Sequence, residues 1–262
     1  MVCYQHVVAL GSSFAAGPGI EPVVDKAAGR SGRNYPHLVA SRLGARLTDL
    51  TMSGATTATI LDTPQRTFRG KQFAPQIVGI PSDADLITIT AGGNDLGYAA
   101  GMLRTAWAGW LRSRPLTRPL ASAVERGAVP SATDDETERT AARLTRVVEA
   151  VSARAPQARV VLVDYLTVLG EATCPEPTTP FRTAQITAFR HVGSQLEKAF
   201  VTAAKRSGVD LVQSSVLSVG HALGSAEPWV TGFRSSMSPL PFHPNAEGMR
   251  AIADAVYGLV TG

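Results

Sequence analysis

Val7-Val8-Ala9-Leu10 runs straight into Gly11-Ser12-Ser13-Phe14-Ala15-Ala16-Gly17. Four consecutive apolar residues without alternation suit a strand buried on both faces, as in parallel sheets. The glycine and two serines that follow make a turn at the strand exit, where a serine is expected to be exposed and sterically free. The same pattern recurs along the chain. Ala45 to Leu50 reads as a second, weaker strand, and Leu86-Ile87-Thr88-Ile89-Thr90 as a third, rich in β-branched residues. Val160-Val161-Leu162-Val163 reads as a fourth and Val209-Asp210-Leu211-Val212 as a fifth.

Helical patterns fill the intervals. Thr133-Asp134-Asp135-Glu136 has the form of a capping box. Leu144, Val147, Val148 and Val151 follow at helical spacing, and Pro156 ends the segment. Ile186, Phe189, Leu196 and Phe200 mark a long helix reaching the neighbourhood of Arg206, and Met249, Ile252, Ala253 and Val256 mark the last one. Strands alternating with helices predict an α/β fold: a three-layer α/β/α sandwich around a flavodoxin-like, parallel five-stranded sheet. Ligands on such sheets bind at the carboxyl ends of the strands. Residues 98–130 break the alternation. There Leu103, Trp107, Trp110 and Leu111 interleave with Arg104, Arg112, Arg114 and Arg118. This segment is expected to be an insertion that packs its own apolar face, with a cap over the site, handling an acyl chain or a membrane surface, as the sharper alternative.

Composition narrows the function. The 262 residues form one expected domain, 1–262, carrying that insertion. No run approaches the about 18–20 apolar residues of a membrane span, so no integral membrane segment is expected. The N-terminal Met1-Val2-Cys3-Tyr4-Gln5-His6 lacks the charged and apolar regions of a signal peptide. A cytoplasmic protein is expected, or a secreted one if a signal has been removed. The net charge of +4 comes from dispersed basic residues, which argues against nucleic acid as a partner. The five histidines are scattered and the two cysteines too few for a metal site, so neither metal nor cofactor is expected. Cys3 and Cys174 fall at opposite edges of the expected sheet, which predicts free thiols. Nothing requires oligomerisation, and a monomer is expected.

The chemistry-bearing residues gather at one sheet edge. Ser12-Ser13 follow the first strand, Ser53-Gly54 the second and Ala91-Gly92-Gly93-Asn94-Asp95 the third, while Phe242-His243-Pro244-Asn245 precede the last helix. Each alone has an ordinary explanation as a turn, a cap or a surface loop. Together and in this order they supply what acyl transfer needs: a nucleophile, a base, and donors for a developing oxyanion. The N–H groups of Ser13 and Gly54 and the amide of Asn94 are the candidate donors. There is no Gly-x-Ser-x-Gly elbow and no P-loop. Gly17-Pro18-Gly19 is not continued into a dinucleotide fingerprint, because Pro22 stands where the third glycine belongs.

The chain resembles the SGNH hydrolase superfamily, also called GDSL esterases and lipases. That family has four blocks: Gly-Asp-Ser after the first strand, Gly after the second, Gly-x-Asn-Asp after the third, and Asp-x-x-His before the last helix. Residues 7–17, Gly54, Gly92-Gly93-Asn94-Asp95 and His243 resemble them in turn. The resemblance implies Ser13 as nucleophile, His243 as base, and an oxyanion hole of Ser13, Gly54 and Asn94. It implies a small-molecule or lipid ester as substrate. Two positions depart from the pattern. Ser12 replaces the Asp of the first block, which leaves Ser12 itself as an alternative nucleophile. Leu240 replaces the Asp three residues before His243, and no acid occurs between Glu227 and Glu247. Family members with a Ser-His dyad use a main-chain carbonyl instead. Here the Leu240 carbonyl, held extended between Pro239 and Pro241, is the expected partner, with an acid from elsewhere in the chain as the alternative. Activity is then expected to rise through the His243 titration near ~6.5. An acyltransferase using the same acyl-enzyme, and a non-catalytic binding module, are the competing functions.

Overall fold

The computed structural model describes residues 3–67, 70–234, 236 and 239–262; Met1-Val2, the start of the stretch read above against a signal-peptide pattern, lie outside it. In chain order the principal elements are β1 (His6–Gly11), α1 (Ser13–Ala16), a ribbon of β2 (Val23–Asp25) and β3 (Arg30–Ser31), α2 (Tyr35–Leu43) and β4 (Arg46–Asp49). Then come α3 (Thr57–Leu61), a second ribbon of β5 (Gln65–Arg66) and β6 (Gln72–Phe73), β7 (Leu86–Thr90), α4 (Tyr98–Arg112), α5 (Arg118–Glu125) and α6 (Asp134–Arg154). The chain closes with β8 (Arg159–Val163), α7 (Thr183–Ser207), β9 (Asp210–Val212), α8 (Ser214–Leu217) and α9 (Ala246–Thr261).

The central sheet is parallel, in the order β4-β1-β7-β8-β9. Every residue of β1 and β7 is buried, as continuous apolar runs require when helices cover both faces. Helices α2 and α9 pack together, as do α6 and α7, giving a layer of each pair about the sheet. The five strands fall where the apolar runs predict them. The capping box at Thr133 forms as read: Thr133 accepts from the Glu136 N–H, and the Glu136 carboxylate accepts from the Thr133 N–H.

This strand order positions the site. The chain leaves β1 toward one side, to β4, and later returns on the other side as β7. Loops after β1 and β7 therefore diverge and leave a crevice at their carboxyl ends, the place where open α/β sheets bind ligands. Pairing runs from Val7 with Leu86 to Gly11 with Thr90, so the two strands end level. Gly11 is required there: a Cβ on it would lie 2.3 Å from the Thr90 carbonyl oxygen.

Residues 98–125 are two helices, α4 and α5, packed on each other. Tyr98, Met102 and Ala106 of α4 are buried in the main core. The base of this insertion is thus part of the globule, while its tip at 113–120 is outside it. Both cysteines are free and exposed.

Candidate active site

The turn after β1 places Ser13 as the first residue of α1. It is only 4% exposed, less open than its turn position implies, because His243 covers it. The Ser13 hydroxyl lies 2.7 Å from His243 Nε2. The other ring nitrogen, Nδ1, lies 2.7 Å from the Pro241 carbonyl oxygen. A carbonyl can only accept, so the proton is on Nδ1 and the Nε2 lone pair faces the Ser13 O–H.

The carbonyl that holds His243 belongs to Pro241 and not to Leu240, the residue expected from sequence. The Leu240 oxygen instead accepts from Thr231 Oγ1 at 2.7 Å. The reason is local. Phe242 adopts a left-handed conformation, φ 61°, which turns the chain back so that the His243 ring closes over the carbonyl two residues before it. A non-glycine residue there costs roughly 1–2 kcal/mol, and the surroundings hold it. The Phe242 N–H donates to the Thr231 carbonyl (2.7 Å), and the Thr231 N–H donates to the His243 carbonyl (2.9 Å). The fully buried Phe242 ring stacks on Phe181 with centroids 5.2 Å apart. The hydrogen bonds of the His243 ring go to Pro241 and Ser13, and no carboxylate reaches it among the described residues.

Burial shifts this histidine. Desolvation of the imidazolium lowers the His243 pKa to about 4, and the Pro241 carbonyl offsets only part of that. The ring is therefore neutral from mildly acidic pH upward, not only above the ~6.5 expected for an unperturbed histidine.

The three candidate donors lie on the turn after β1 and the loops after β4 and β7. Gly54 turns in a left-handed conformation, φ 82°, after β4. Its N–H and that of Ser13 have no intramolecular partner among the described residues. Asn94 Nδ2 donates one hydrogen to the Ala55 carbonyl (2.8 Å), which leaves its second N–H unspent. The neighbouring Asp95 carboxylate accepts from the Thr57 N–H (3.0 Å) and hydroxyl (2.5 Å). Asn94 and Asp95 thus stitch the loop after β7 to the loop after β4.

These blocks, at the carboxyl ends of the strands and before α9, correspond to a recognised family. The chain matches the model of the GDSL-like Lipase/Acylhydrolase family over residues 9–251. It belongs to that family. Membership makes it a carboxylic ester hydrolase. The chain is similar to Lipase 2 of Streptomyces coelicolor, 32% identical over 254 residues, covering 94% of this chain and 83% of the relative. It is 30% identical to a lipase of Streptomyces rimosus, covering 92% and 81%. Among solved structures, the phospholipase A1 of Streptomyces albidoflavus superposes with a TM-score of 0.73 at 21% identity, covering 98% of each chain. At that identity the match speaks for the fold.

Two further residues of this GDSL-like chain serve the site without having been legible in its motifs. Tyr165, just beyond β8, lies with its hydroxyl 3.1 Å from Ser12 Oγ and accepts from the Gly93 N–H, also at 3.1 Å. Ser12, where the family has Asp, is 1% exposed and makes this bond to Tyr165, while Ser13 is the serine that meets His243. Burial pushes the Tyr165 pKa up to about 12, so the phenol keeps its proton. Gln76 grips the other side of the turn. Its Oε1 accepts from the Gly11 N–H (2.8 Å) and its Nε2 donates to the Gly11 carbonyl (3.0 Å), on the edge of β1 that faces β4, whose pairing with β1 ends at Ala9. Neither residue lies in a recognisable pattern. Their signal is spatial.

Proposed function

We propose that this protein hydrolyses acyl esters through a Ser13–His243 dyad and an acyl-enzyme. The observation that carries this is the 2.7 Å contact of Ser13 Oγ with an Nε2 whose tautomer is set by the Pro241 carbonyl. Ser13 Oγ attacks the acyl carbonyl carbon and its proton passes to Nε2. The carbonyl electrons move to oxygen, and the N–H groups of Ser13, Gly54 and Asn94 receive the oxyanion. Collapse breaks the bond to the alcohol, which leaves with the proton from Nε2. Water then repeats the sequence on the acyl-enzyme and restores Ser13. A buried imidazole is a weak base, but its protonated form is a correspondingly ready acid toward the leaving alkoxide. With a neutral carbonyl as third partner, the imidazolium is stabilised less than it would be by a carboxylate.

Relatives named lipases support acyl chains on the acid side of the ester. The chain is read as a single domain over 1–262, with an insertion, a candidate cap, at about 98–130. The extracellular lipase of S. rimosus among the structural matches supports action outside the cell. The test is hydrolysis of a p-nitrophenyl ester series from acetate to palmitate, wild type against Ser13→Ala. Turnover that the substitution abolishes is the expected result. A folded wild type inert on every ester would overturn the hydrolase reading in favour of a binding module. Release of a new ester rather than free acid, in the presence of alcohols, would favour an acyltransferase.

A further inference from the structure

The α4–α5 hairpin carries a charge pattern that ester hydrolysis does not use. Residues 98–130 contain five arginines, no lysine and one acid, Glu125. That surplus of four positive charges equals the net charge of the entire chain, +4, so the remaining residues balance. The acid is committed inward: Glu125 accepts from Arg112 and Arg182, each at 2.7 Å, and from Gln185. Arg114, Arg118 and Arg126 are exposed with no carboxylate partner among the described residues. The Arg114 guanidinium lies 3.6 Å over the Trp110 ring, which fixes its direction without neutralising it.

The same tip displays apolar side chains. Arg114-Pro115-Leu116-Thr117-Arg118-Pro119-Leu120 repeats Arg-Pro-Leu at an interval of four residues. Leu116 is 96% exposed and Leu120 59% exposed. Leucines so placed contribute nothing to the core, and moving them into hydrocarbon recovers their transfer free energy. Arginines beside them keep their guanidinium groups at headgroup level while their stems follow the leucines. Pro115 and Pro119 bring no N–H, so this stretch carries fewer backbone donors that would be left unpaired on leaving water. The hairpin base is anchored in the core by Tyr98, Met102 and Ala106. Between the hairpin and the 176–182 loop is a cavity of about 840 Å³ lined by Trp110 and Phe181. Phe181 in turn stacks on Phe242, the residue before His243. The cavity thus lies between the hairpin and the aromatic wall that adjoins His243.

We propose that residues 113–120 dock the enzyme on an anionic lipid surface, with Leu116 and Leu120 inserted and Arg114 and Arg118 at the phosphates. This deepens the hydrolase reading by naming the physical form of its substrate, and rests on that reading only for the consequence in lipid turnover. The experiment is co-sedimentation of the full chain, as the Ser13→Ala variant, with vesicles of phosphatidylcholine alone or mixed with phosphatidylglycerol. Binding is expected to the mixed vesicles, to weaken with salt, and to exceed binding to phosphatidylcholine alone. Arg114→Gln and Arg118→Gln should each weaken it roughly five-fold, and Leu116→Ser roughly ten-fold. All three positions are exposed, so an unchanged thermal midpoint verifies folding. The same substitutions in the active enzyme should leave p-nitrophenyl acetate turnover at the wild-type level. No binding to mixed vesicles, equal binding to both kinds, or binding indifferent to the substitutions would overturn the proposal. So would a lipid-free dimer that Leu116→Ser dissolves, which would assign this surface to a second copy. Vesicle binding without esterase activity in the wild type would sink the hydrolase reading and leave docking intact; esterase activity without vesicle binding would do the reverse.

Discussion

His243 decides the pH behaviour at the scale of single residues. Its burial lowers the pKa to about 4, so the free enzyme keeps its base neutral well below pH 6. The acid limb of kcat/KM is expected near pH 4, with a plateau from pH 5.5 to 8 set by this group; an acid limb near ~6.5 would mean that the ring is solvated in solution. Asn94 commits one amide hydrogen to the Ala55 carbonyl and keeps the other unspent, free for the proposed oxyanion. Asn94→Ala should lower kcat by about 10²–10³, the usual effect of losing one oxyanion donor. Single-turnover kinetics on a soluble ester check this, and an unchanged kcat would remove Asn94 from the oxyanion hole.

At the scale of elements, the site is an agreement among four loops, and Tyr165 ties two of them. Its hydroxyl spans Ser12, beside the proposed nucleophile Ser13, and the Gly93 N–H, beside Asn94. Tyr165→Phe leaves the ring packed against Phe14 and removes only that tie. The Gly93 N–H would then be buried without a partner, at a cost of about 1–3 kcal/mol. Urea unfolding should register that loss, and kcat should fall while KM holds, since the substitution removes only the hydroxyl that ties the loops carrying Ser13 and Asn94. A variant matching wild type in both would show that Ser12 and Gly93 are held by their backbones alone. The left-handed Phe242 belongs to this scale too: the strained turn is kept by Thr231 and by the stack on Phe181, and it selects the carbonyl that His243 meets.

Over the whole molecule, two buried titrating groups pull stability in opposite directions with pH. His243, unfolded near ~6.5 and folded at about 4, binds fewer protons when folded, so stability rises with pH across that interval. Asp164 is the converse. Burial raises its carboxyl from 3.8 to about 7, ahead of the Ser215 hydrogen bonds that lower it. The folded state binds the extra proton, so its contribution is present in acid and is lost as pH rises toward 7. The two slopes oppose each other between pH 4 and 6.5. Asp164→Asn removes the second, so the thermal midpoint of the variant should climb with pH over that range more steeply than that of wild type. Parallel profiles for the two proteins would mean that Asp164 is ionised when folded.

Sequence alone determined the sheet and placed Ser13, Gly54, Asn94 and His243 outside its strands, because both are written locally. Continuous apolar runs such as Val7-Val8-Ala9-Leu10 have no stable place except between two layers of helices, and Gly-Gly-Asn-Asp directly after such a run can only be a turn at a strand end. Tertiary structure alone decided which carbonyl orients His243, that Ser12 answers to Tyr165, and that Gln76 completes β1 at Gly11. Each of these pairs partners set by chain reversal rather than by spacing: a left-handed turn at Phe242, a residue 153 positions from Ser12, a glutamine 65 positions from Gly11. The lowered pKa of His243 has the same origin, since desolvation depends on what the completed fold lays over the ring.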